Sequence, residues 1–445
     1  MKPQLVPSAF ITDLQQGIAS LKDAGDSVRI ISHYDADGAC AAAIMCKCLM
    51  RAGKAFHATL LTELESIKEI GKEENDVVFF LDMGSGQIDL LETFNGRVIV
   101  LDHHTPLRAS KKVLQINPHF YNINGTYEAS ASTISFLWAI EMEERNWDLV
   151  DLALAGASGD KQDIGGFSGV NKNVAEEGVK RGMIEVRRKI NIPDGPLEEA
   201  LTEMCEPYLK GIAGRREEVL SLLSRARVDS NTTVAHLERE EEKRLVSLIC
   251  LHLLEQGARA ENIEILVKNA LCSLRSEMCI EDIAGYVNAC GRMEEHGTGL
   301  AFCLGDREAM ERAKMLRKQY RQRIIRGLRR IEEEGVFTKS HIQFFYTDVK
   351  ELAGVQAGLS MNYLLNQNMP TLALCVENEK TSISARGTRY LVRKGLNLAG
   401  VCRSAAEVVG GSGGGHDIAA GATIPKGKEE AFLEEANTIV ARQLS

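Results

Sequence analysis

The sequence lacks the features that mark membrane proteins and disulfide-stabilised secreted proteins. It has no apolar run approaching the ~18–20 residues that span a bilayer. Its first residues, MKPQLVPSAF, lack the charged-then-apolar layout of a signal peptide. Its eleven cysteines are odd in number, follow no regular framework and include no C-x-x-C pair, which argues against a disulfide scaffold and a zinc ribbon. These absences predict a cytoplasmic protein with no membrane partner, in which most cysteines are reduced core residues.

Aromatic residues are scarce, and the signatures of several enzyme classes are missing. Only 5% of the residues are aromatic, so a single-strand channel in this protein is expected to depend on phosphate and sugar contacts more than on base stacking. The chain contains no H-E-x-x-H, no P-loop and no G-x-S-x-G. The net charge of −9 argues against a basic coat but leaves a local basic groove open.

The sequence does contain a repeated alternation of apolar strands and helical segments. Helices are predicted at 10–25, 39–53, 130–144 and 147–160. Strands are predicted at 27–32, 76–82, 96–104 and 113–119. Because these strands are almost wholly apolar and alternate with helices, we predict an α/β fold with a parallel sheet covered on both faces.

Changes in this pattern predict three domains. Residues 1–200 are predicted to form the parallel-sheet domain, 201–335 a helical insert with a connecting helix, and 336–445 a smaller C-terminal α/β domain. The connecting helix is predicted at 306–335, and its residues 307–330 hold ten Lys or Arg and two Glu. This basic stretch is interpreted either as a solvated helix face or as one wall of a nucleic-acid groove. The C-terminal domain is predicted to contain a hairpin turning at Asn378 and Glu379.

Residue types that bind metals stand at the ends of three predicted strands and of one predicted helix. The set is His33, Asp35, Asp37, Asp82, Asp102, His103, His104 and Asp160. Carboxyl ends of parallel strands meet at one edge of a sheet. One Asp after a strand is most often a turn or capping residue. Four independent segments of this kind, however, would bring mutually repelling carboxylates into one crevice.

Divalent cations would resolve that repulsion, and this many ligands could hold two of them, with one carboxylate bridging. Imidazole and carboxylate ligands without thiolate favour Mn²⁺, with Mg²⁺ as the alternative. Two neighbouring metals generate a hydroxide, clamp a phosphate and neutralise the leaving oxygen. The residues therefore predict hydrolysis of a phosphoester.

These stretches resemble the motifs of the DHH phosphoesterase superfamily. SHYDADG, FLDMG, LDHHTP and GASGD are similar to its four motifs, and GGSGGGHDIAAGATI is similar to the Gly-rich signature of the accompanying DHHA1 domain. All five appear in the expected order over nearly the whole chain. Within the superfamily, the length, the helical insert and NACGRM resemble archaeal RecJ-like single-strand nucleases of the GINS-associated or Hef-associated type.

The resemblance implies a role for each matched residue. The first metal would be held by His33, Asp35 and Asp82. The second metal would be held by Asp37, Asp82, His103 and Asp160, so that Asp82 bridges the two. His104 would face the scissile phosphate, and Asp102 would orient a histidine from behind.

The resemblance also implies substrate contacts in the DHHA1 domain. Arg386 and His416 would grip substrate phosphates there. The backbone amides of three glycines would approach an anion: Gly413, Gly414 and Gly415. Elsewhere, Asn117 and His119 are candidates for the wall of the cleft, and Asn288 and Arg292 are either structural or contact nucleic acid.

Three functions follow as hypotheses. The leading one is a two-metal exonuclease that degrades single-stranded DNA or RNA in repair or replication, with GINS or a Hef-type helicase as a candidate partner. The second is a phosphodiesterase of short oligoribonucleotides or cyclic dinucleotides, which the helical insert disfavours because a small substrate needs no extra wall. The third is a scaffold subunit like Cdc45, which the filled ligand positions argue against. Cleavage polarity and oligomeric state, including a homo-oligomer, are left open.

Overall fold

The computed structural model describes residues 5–22, 28–62 and 76–444. The chain divides into two compact units that are each discontinuous in sequence. The first unit contains Met1–Arg188 and Asn269–Arg317, and the second contains Lys189–Lys268 and Lys318–Ser445. The division into three domains with boundaries at residues 200 and 335 stays a prediction. In the described part of the chain, no helix has both the length and the apolar character needed to cross a membrane.

The described residues form the following helices and strands. The helices are α1 (Ser8–Lys22), α2 (Ala36–Arg51), α3 (Ile88–Leu91), α4 (Ala131–Met142), α5 (Val150–Gly159), α6 (Gly169–Lys180), α7 (Leu197–Thr202), α8 (Arg216–Ala226), α9 (Arg239–Glu255), α10 (Ala260–Glu264), α11 (Ile280–Arg292), α12 (His296–Leu304), α13 (Arg307–Glu334), α14 (Lys350–Tyr363), α15 (Arg389–Arg393), α16 (Leu398–Val408) and α17 (Glu429–Leu444). The strands are β1 (Val28–His33), β2 (Phe56–Leu61), β3 (Val77–Leu81), β4 (Arg97–Leu101), β5 (Leu114–Ile116), β6 (Ile184–Ile190), β7 (Val267–Ser273), β8 (Phe337–Thr338), β9 (Gln343–Tyr346), β10 (Thr371–Val376), β11 (Lys380–Arg386), β12 (Ser412–Gly415) and β13 (Ala419–Pro425).

A parallel sheet of five described strands forms the centre of the first unit, in the order β2-β1-β3-β4-β5. Side chains of successive residues point to opposite faces of a strand. In β3, Phe79 packs in one apolar cluster and Phe80 in another. The sheet is therefore covered on both faces, and the predicted α/β class is confirmed. Strand β2 was not predicted, because its half-exposed side chains at the sheet edge break the apolar run.

Helix α2 positions the first motif against the sheet. Its residues from Ala39 to Cys46 are almost fully buried and mostly small, so the helix can pack close to β1, α4 and α5. A Cβ on Gly38 would lie 2.4 Å from the carbonyl oxygen of His33. The small residues after the motif therefore let α2 begin directly above the end of β1.

The insert predicted at 201–335 is not wholly helical, because it contains strand β7. This strand pairs with β6, which precedes the insert, as a two-stranded sheet. Cys272 near the end of β7 forms a disulfide with Cys279, just before α11. This bridge was not predicted from the sequence, because the two cysteines belong to no regular framework. No other disulfide is formed among the described residues, and seven of the other cysteines are buried.

A mixed sheet of six described strands lies in the second unit, in the order β12-β13-β11-β10-β9-β8. Only β9 and β10 run parallel, and the other neighbours are antiparallel. The predicted hairpin is confirmed, since β10 ends at Val376 and β11 begins at Lys380. The connecting helix predicted at 306–335 is also confirmed as α13.

Candidate metal centre

The neighbouring parallel strands β1, β3 and β4 bring their carboxyl ends to one edge of the sheet. Strand β1 ends at His33, Asp82 follows β3, and Asp102 follows β4. Asp160 follows directly after α5, which packs against α2. The order of strands thus places polar residues that are far apart in sequence at a common crevice.

A first group of side chains surrounds the end of β1. His33 Nδ1 lies 2.9 Å from Asp35 Oδ2 and 3.5 Å from Asp82 Oδ2. The other oxygen of Asp35 accepts a hydrogen bond from Gly38 N at 3.1 Å and so caps α2. The three side chains offer ligand atoms within 4.8 Å of one another, a spacing at which they could hold a metal ion.

A second group surrounds His103, the first histidine of LDHHTP. Its Nε2 lies 3.1 Å from Asp160 Oδ2, 3.2 Å from Asp82 Oδ1 and 3.8 Å from Asp37 Oδ2. Asp82 therefore belongs to both groups, with Oδ2 towards His33 and Oδ1 towards His103. One carboxylate faces two separate sets of ligands.

Asp37 is fixed by the start of helix α4. Its Oδ2 accepts a hydrogen bond from Ala131 N at 2.7 Å, and its Oδ1 accepts one from Ser132 N at 3.0 Å. Amides at a helix N-terminus have no partner within the helix and favour an anion. A Cβ on Gly156 would lie 2.5 Å from Asp37 Oδ1, so the small residue in GASGD leaves room for this carboxylate.

The hydrogen bonds of His103 indicate that the centre is built for a cation. Its Nδ1 lies 2.7 Å from the carbonyl oxygen of Gly125, which can only accept, so Nδ1 carries the proton. Among the described residues, His103 Nε2 and Asp82 Oδ1 are both buried without a hydrogen bond. Buried polar atoms without partners are costly. A divalent cation between these atoms would satisfy both, and the imidazole and carboxylate ligand set fits Mn²⁺ or Mg²⁺.

Crowding of the carboxylates shifts their proton affinities. Burial and the charge of Asp82 raise the pKa of Asp37 to about 6. Burial also raises the pKa of Asp160 to about 6, and burial with the charge of Asp35 raises that of Asp82. Burial lowers the pKa of His33, but the neighbouring carboxylates outweigh it and raise this pKa to about 11. Without a cation, protons bound to His33 and to the crowded carboxyl groups therefore reduce the repulsion between the buried negative charges.

His104 and Asp102 form a separate pair beside these ligands. Asp102 Oδ1 accepts from His104 Nδ1 at 2.8 Å, and its Oδ2 accepts from Ser85 N at 2.9 Å. Burial lowers the pKa of His104, but the hydrogen bond and charge of Asp102 outweigh it and raise the pKa to about 9. The ring is half-exposed, so its Nε2 presents a proton at neutral pH.

Asn117 lies behind this pair. Its buried amide donates to Ser85 Oγ at 2.9 Å and to the carbonyl of His104 at 2.8 Å, so it fixes the backbone of the third motif. Its Oδ1 accepts from His119 N at 3.0 Å. The His119 ring lies near Gly125. A direct substrate contact by either residue stays a prediction.

Several supporting residues were not identified from the sequence. Gln162 Nε2 donates to the Gly125 carbonyl at 3.0 Å, and Gln162 Oε1 accepts from Asn171 Nδ2 at 2.6 Å. These contacts hold the carbonyl that orients His103. Gln162 stands two residues after Asp160, and that proximity is the only signal in the sequence.

The motif NACGRM lies against the first motif. Asn288 Oδ1 accepts from Ala36 N at 3.0 Å, and Arg292 donates to Tyr34 Oη at 3.1 Å. A Cβ on Gly291 would lie 2.7 Å from the carbonyl of Tyr34. Helix α11 thus supports the segment that carries His33 and Asp35. It also places the positively charged guanidinium of Arg292 beside Tyr34 in that segment.

Gly125→Ala is expected to damage the centre through the backbone. The added Cβ would lie 2.0 Å from the carbonyl oxygen of His103, which cannot move aside like a flexible side chain. We expect the free energy of unfolding to fall by about 1–3 kcal/mol and the affinity for Mn²⁺ to fall by about 10–100-fold. Urea denaturation and calorimetric titration with Mn²⁺ measure the two effects. Gly297→Ala, where a Cβ meets nothing within 4 Å, serves as the control, and equal behaviour of the two variants would refute this role of Gly125.

The predicted substrate residues of the second unit lie together in its own sheet. Arg386 ends β11 and pairs with Ala419, while Gly415 pairs with Ala420 on the adjacent strand. His416 N donates to the carbonyl of Ala419 at 2.8 Å. The register thus brings these residues to one end of the sheet, together with Gly413 and Gly414 on β12.

Comparisons with known proteins agree with this architecture. The model of the DHH family, N-terminal domain, matches residues 27–157, and that of the DHHA1 domain matches residues 341–442. The chain is 31% identical over 435 residues to the uncharacterized protein MJ0831 of Methanocaldococcus jannaschii, with 94% of each chain covered.

Two solved structures share the fold. CDC45 from Entamoeba histolytica superposes with a TM-score of 0.69 at 11% identity, covering 97% of this chain and 99% of that one. RecJ from Thermus thermophilus in complex with Mn²⁺ superposes with a TM-score of 0.62 at 19% identity. This alignment covers 97% of the present chain but 55% of RecJ, so the chain spans about half the length of that protein. Since both domains match in the order that the motifs predict, the chain belongs to the DHH/DHHA1 superfamily of phosphoesterases, hydrolases of phosphoester bonds.

Proposed function

We propose that this phosphoesterase is a metal-dependent exonuclease that hydrolyses the phosphodiester bonds of single-stranded DNA or RNA. The observation that carries the proposal is the position of Asp82, whose two oxygens face separate groups of imidazole and carboxylate ligands. A carboxylate shared in this way is suited to bridging two metal ions. Two-metal sites are a recurrent solution for displacement at phosphate, including in nucleases.

In this proposal the two groups hold one divalent cation each. The first cation would be bound by His33, Asp35 and Asp82. The second would be bound by Asp37, Asp82, His103 and Asp160. When bound, such ions supply a hydroxide nucleophile and neutralise charge on the phosphate. Mn²⁺ is the first candidate because the ligands mix imidazole with carboxylate, and RecJ holds Mn²⁺ in its solved structure.

The remaining residues of the centre act on the substrate directly. The raised pKa of His104, about 9, keeps both ring nitrogens protonated at neutral pH. Its Nδ1 donates to Asp102, and its Nε2 can donate its proton to an oxygen of the phosphate or of the leaving group. Arg292 places its guanidinium beside Tyr34 and can bind a neighbouring phosphate. In the second unit, Arg386 and His416 contact a further part of the strand, with the amides of Gly413, Gly414 and Gly415.

The test is digestion of oligonucleotides of about 20 nucleotides, carrying a label at the 5′ or the 3′ end. Single-stranded DNA and RNA and the corresponding duplexes are incubated with Mn²⁺ and, separately, with Mg²⁺. We expect progressive shortening of the single strands from one end and little change in the duplexes. No shortening of any strand would refute the proposal. Cleavage of dinucleotides without cleavage of the longer strands would assign the small-substrate phosphodiesterase function instead.

The same proposal includes a partner in replication or repair, either GINS or a Hef-type helicase, as the RecJ-like resemblance implies. A pull-down with purified subunits tests it. Binding together with retained hydrolysis would support a nuclease working within a complex, whereas binding by a chain without hydrolysis would support the scaffold function.

A further inference from the structure

A groove of about 630 Å³ lies in the second unit, away from the residues assigned above. It is formed by the C-terminal half of α13, the turn into β8, the end of β9 and the start of α14. A volume of this size falls within the ~300–1,000 Å³ typical of ligand sites. The lining residues decide which ligand it suits.

Positive charge along one wall comes from α13. Arg323 and Arg326 are exposed on this helix and line the groove. Within the described part of the chain neither meets a carboxylate, and Arg326 donates only to the backbone of Gln322 at 3.4 Å. Arg330, the third arginine of the groove, pairs with Glu334 and with Asp348. The lining therefore carries a net charge of +1, with two guanidinium groups available to an anion.

The opposite wall exposes aromatic rings. Phe337 is 60% exposed and Tyr346 is 42% exposed. Phe337 is held in place by stacking on Phe344, with ring centroids 5.4 Å apart and planes inclined by 23°. An exposed ring that is already oriented can stack on a nucleobase at little entropic cost.

The floor of the groove offers a hydrogen-bond donor. Gln356 is 3% exposed, and its Oε1 accepts from Thr347 Oγ1 at 2.9 Å. Its Nε2 lies 2.0 Å from where a Cβ on Gly327 would be, so Gly327 leaves room for this amide. No partner for Nε2 is found among the described residues. Because Gln356 lines the groove, this amide can donate a hydrogen bond to an acceptor there.

This groove is distinct from the predicted Arg386 site. On α14, the Cβ direction of Gly354 points at the Arg386 guanidinium, 2.3 Å away. Leu352 and Gln356 line the groove instead. Residues two positions apart on a helix lie on nearly opposite faces, so α14 separates the two sites.

We propose that this groove binds a segment of single-stranded nucleic acid, with phosphates at Arg323 and Arg326 and a base against Phe337. The choice of a strand as the ligand rests on the proposed nuclease function. Two cations and an aromatic wall fit the alternation of phosphate and base along a strand. The low aromatic content of the sequence predicted that contacts to phosphate and sugar would dominate. In this groove, however, Phe337 also offers a ring for base stacking.

A charge-reversal experiment tests the cationic wall. Fluorescence anisotropy is measured with a labelled single strand and full-length protein in EDTA, which prevents hydrolysis. The double variant Arg323→Glu/Arg326→Glu is expected to bind at least about tenfold more weakly, with a reduced salt dependence. Arg225→Glu/Arg239→Glu, which reverses two exposed arginines of the same unit outside the groove, is the matched control. Equal loss in the two double variants would overturn the proposal.

A fluorescent reporter locates the base. Both native tryptophans, Trp138 and Trp147, are buried, so Phe337→Trp adds the only exposed indole in the described part of the chain. Saturable quenching by the oligonucleotide is expected, because a base stacks on the new ring. Quenching by AMP but not by the strand would assign a free nucleotide instead and overturn the strand proposal. No quenching by either ligand would also overturn it.

The two proposals fail in different ways. If the wild-type chain does not shorten any strand but Phe337→Trp is quenched by one, the nuclease proposal fails and the groove stands. If the wild-type chain shortens strands but the groove variants bind like the wild type, the groove fails and the nuclease proposal stands.

Discussion

Asp82→Asn is expected to lower the rate of phosphodiester hydrolysis by at least about a thousandfold. The two oxygens of Asp82 lie 3.5 Å from His33 Nδ1 and 3.2 Å from His103 Nε2, so this side chain is a candidate ligand for both cations. The amide has one acceptor oxygen instead of two and no negative charge. Both metal positions are therefore weakened by one change, and kcat with saturating Mn²⁺ is the measurement.

Asparagine is the appropriate replacement because of the backbone at this position. Asp82 has φ of 58°, in the left-handed region, where Asn and Asp are tolerated better than other residues with a side chain. Alanine would add strain of about 1–2 kcal/mol and confuse the loss of a ligand with a disturbed backbone. The non-glycine residue in this conformation is also consistent with a side chain that function holds in place.

Asp89→Asn is the matched control for Asp82→Asn. It makes the same chemical change at an exposed surface ion pair with Arg108, and surface pairs contribute little to stability. The control is expected to keep wild-type activity. If Asp82→Asn also keeps activity within about tenfold of the wild type, then Asp82 does not bridge two metals and the two-metal mechanism is wrong.

The parallel sheet explains why so much of the centre could be predicted from the sequence. Residues that follow β1, β3 and β4 must lie near one another once these strands are neighbours in a parallel sheet. The positions of His33, Asp82 and His103 follow from that rule alone. The shared position of Asp82 does not, because it depends on the orientation of a side chain whose backbone lies in the left-handed region.

The supporting contacts could not be predicted, because they depend on backbone atoms and on packing. Gly125 matters through its carbonyl oxygen and through the space where a side chain would clash, and no residue pattern encodes either. In the sequence, Gln162 cannot be distinguished from other polar residues that follow a helix. Only the structure shows that its amide donates to the Gly125 carbonyl. The groove beside Phe337 likewise combines α13 with β8 and α14, and only the tertiary structure brings them together.

Stabilisation of the protein by Mn²⁺ is expected to increase as the pH rises from about 5 to about 8. In the metal-free protein, burial raises the pKa values of Asp37 and Asp160 from 3.8 to about 6. A carboxyl group whose pKa is higher in the folded state than in the unfolded state contributes its full stabilisation at pH values below the unfolded-state pKa. This stabilisation is lost as the pH rises through the folded-state pKa. Each shift of about two units corresponds to at most about 3 kcal/mol of lost stability.

His33 changes the stability of the metal-free protein in the same direction, but over a higher range of pH. The raised pKa of His33, about 11 against 6.5, gives stability that is present below 6.5 and declines above it. Asp35 and Asp102 have lowered pKa values, so their contribution is lost only when the pH falls below the range considered. The metal-free protein should therefore become less stable from about pH 5 to about pH 8.

A bound cation reverses this trend, because it replaces the protons that hold the carboxylates together. Urea midpoints in EDTA and in Mn²⁺ across this range of pH measure the difference between the two states. Asp160→Asn removes one of the two titrating carboxylates, so its metal-free stability should fall less steeply with pH and its gain from Mn²⁺ should be smaller. A gain from Mn²⁺ that does not change with pH in the wild type would mean that the cations bind away from these carboxylates. A metal-free stability that rises across the same range would mean that crowding of Asp37, Asp82 and Asp160 does not govern the fold. The pH dependence thus tests the ligand set through folding, independently of any substrate.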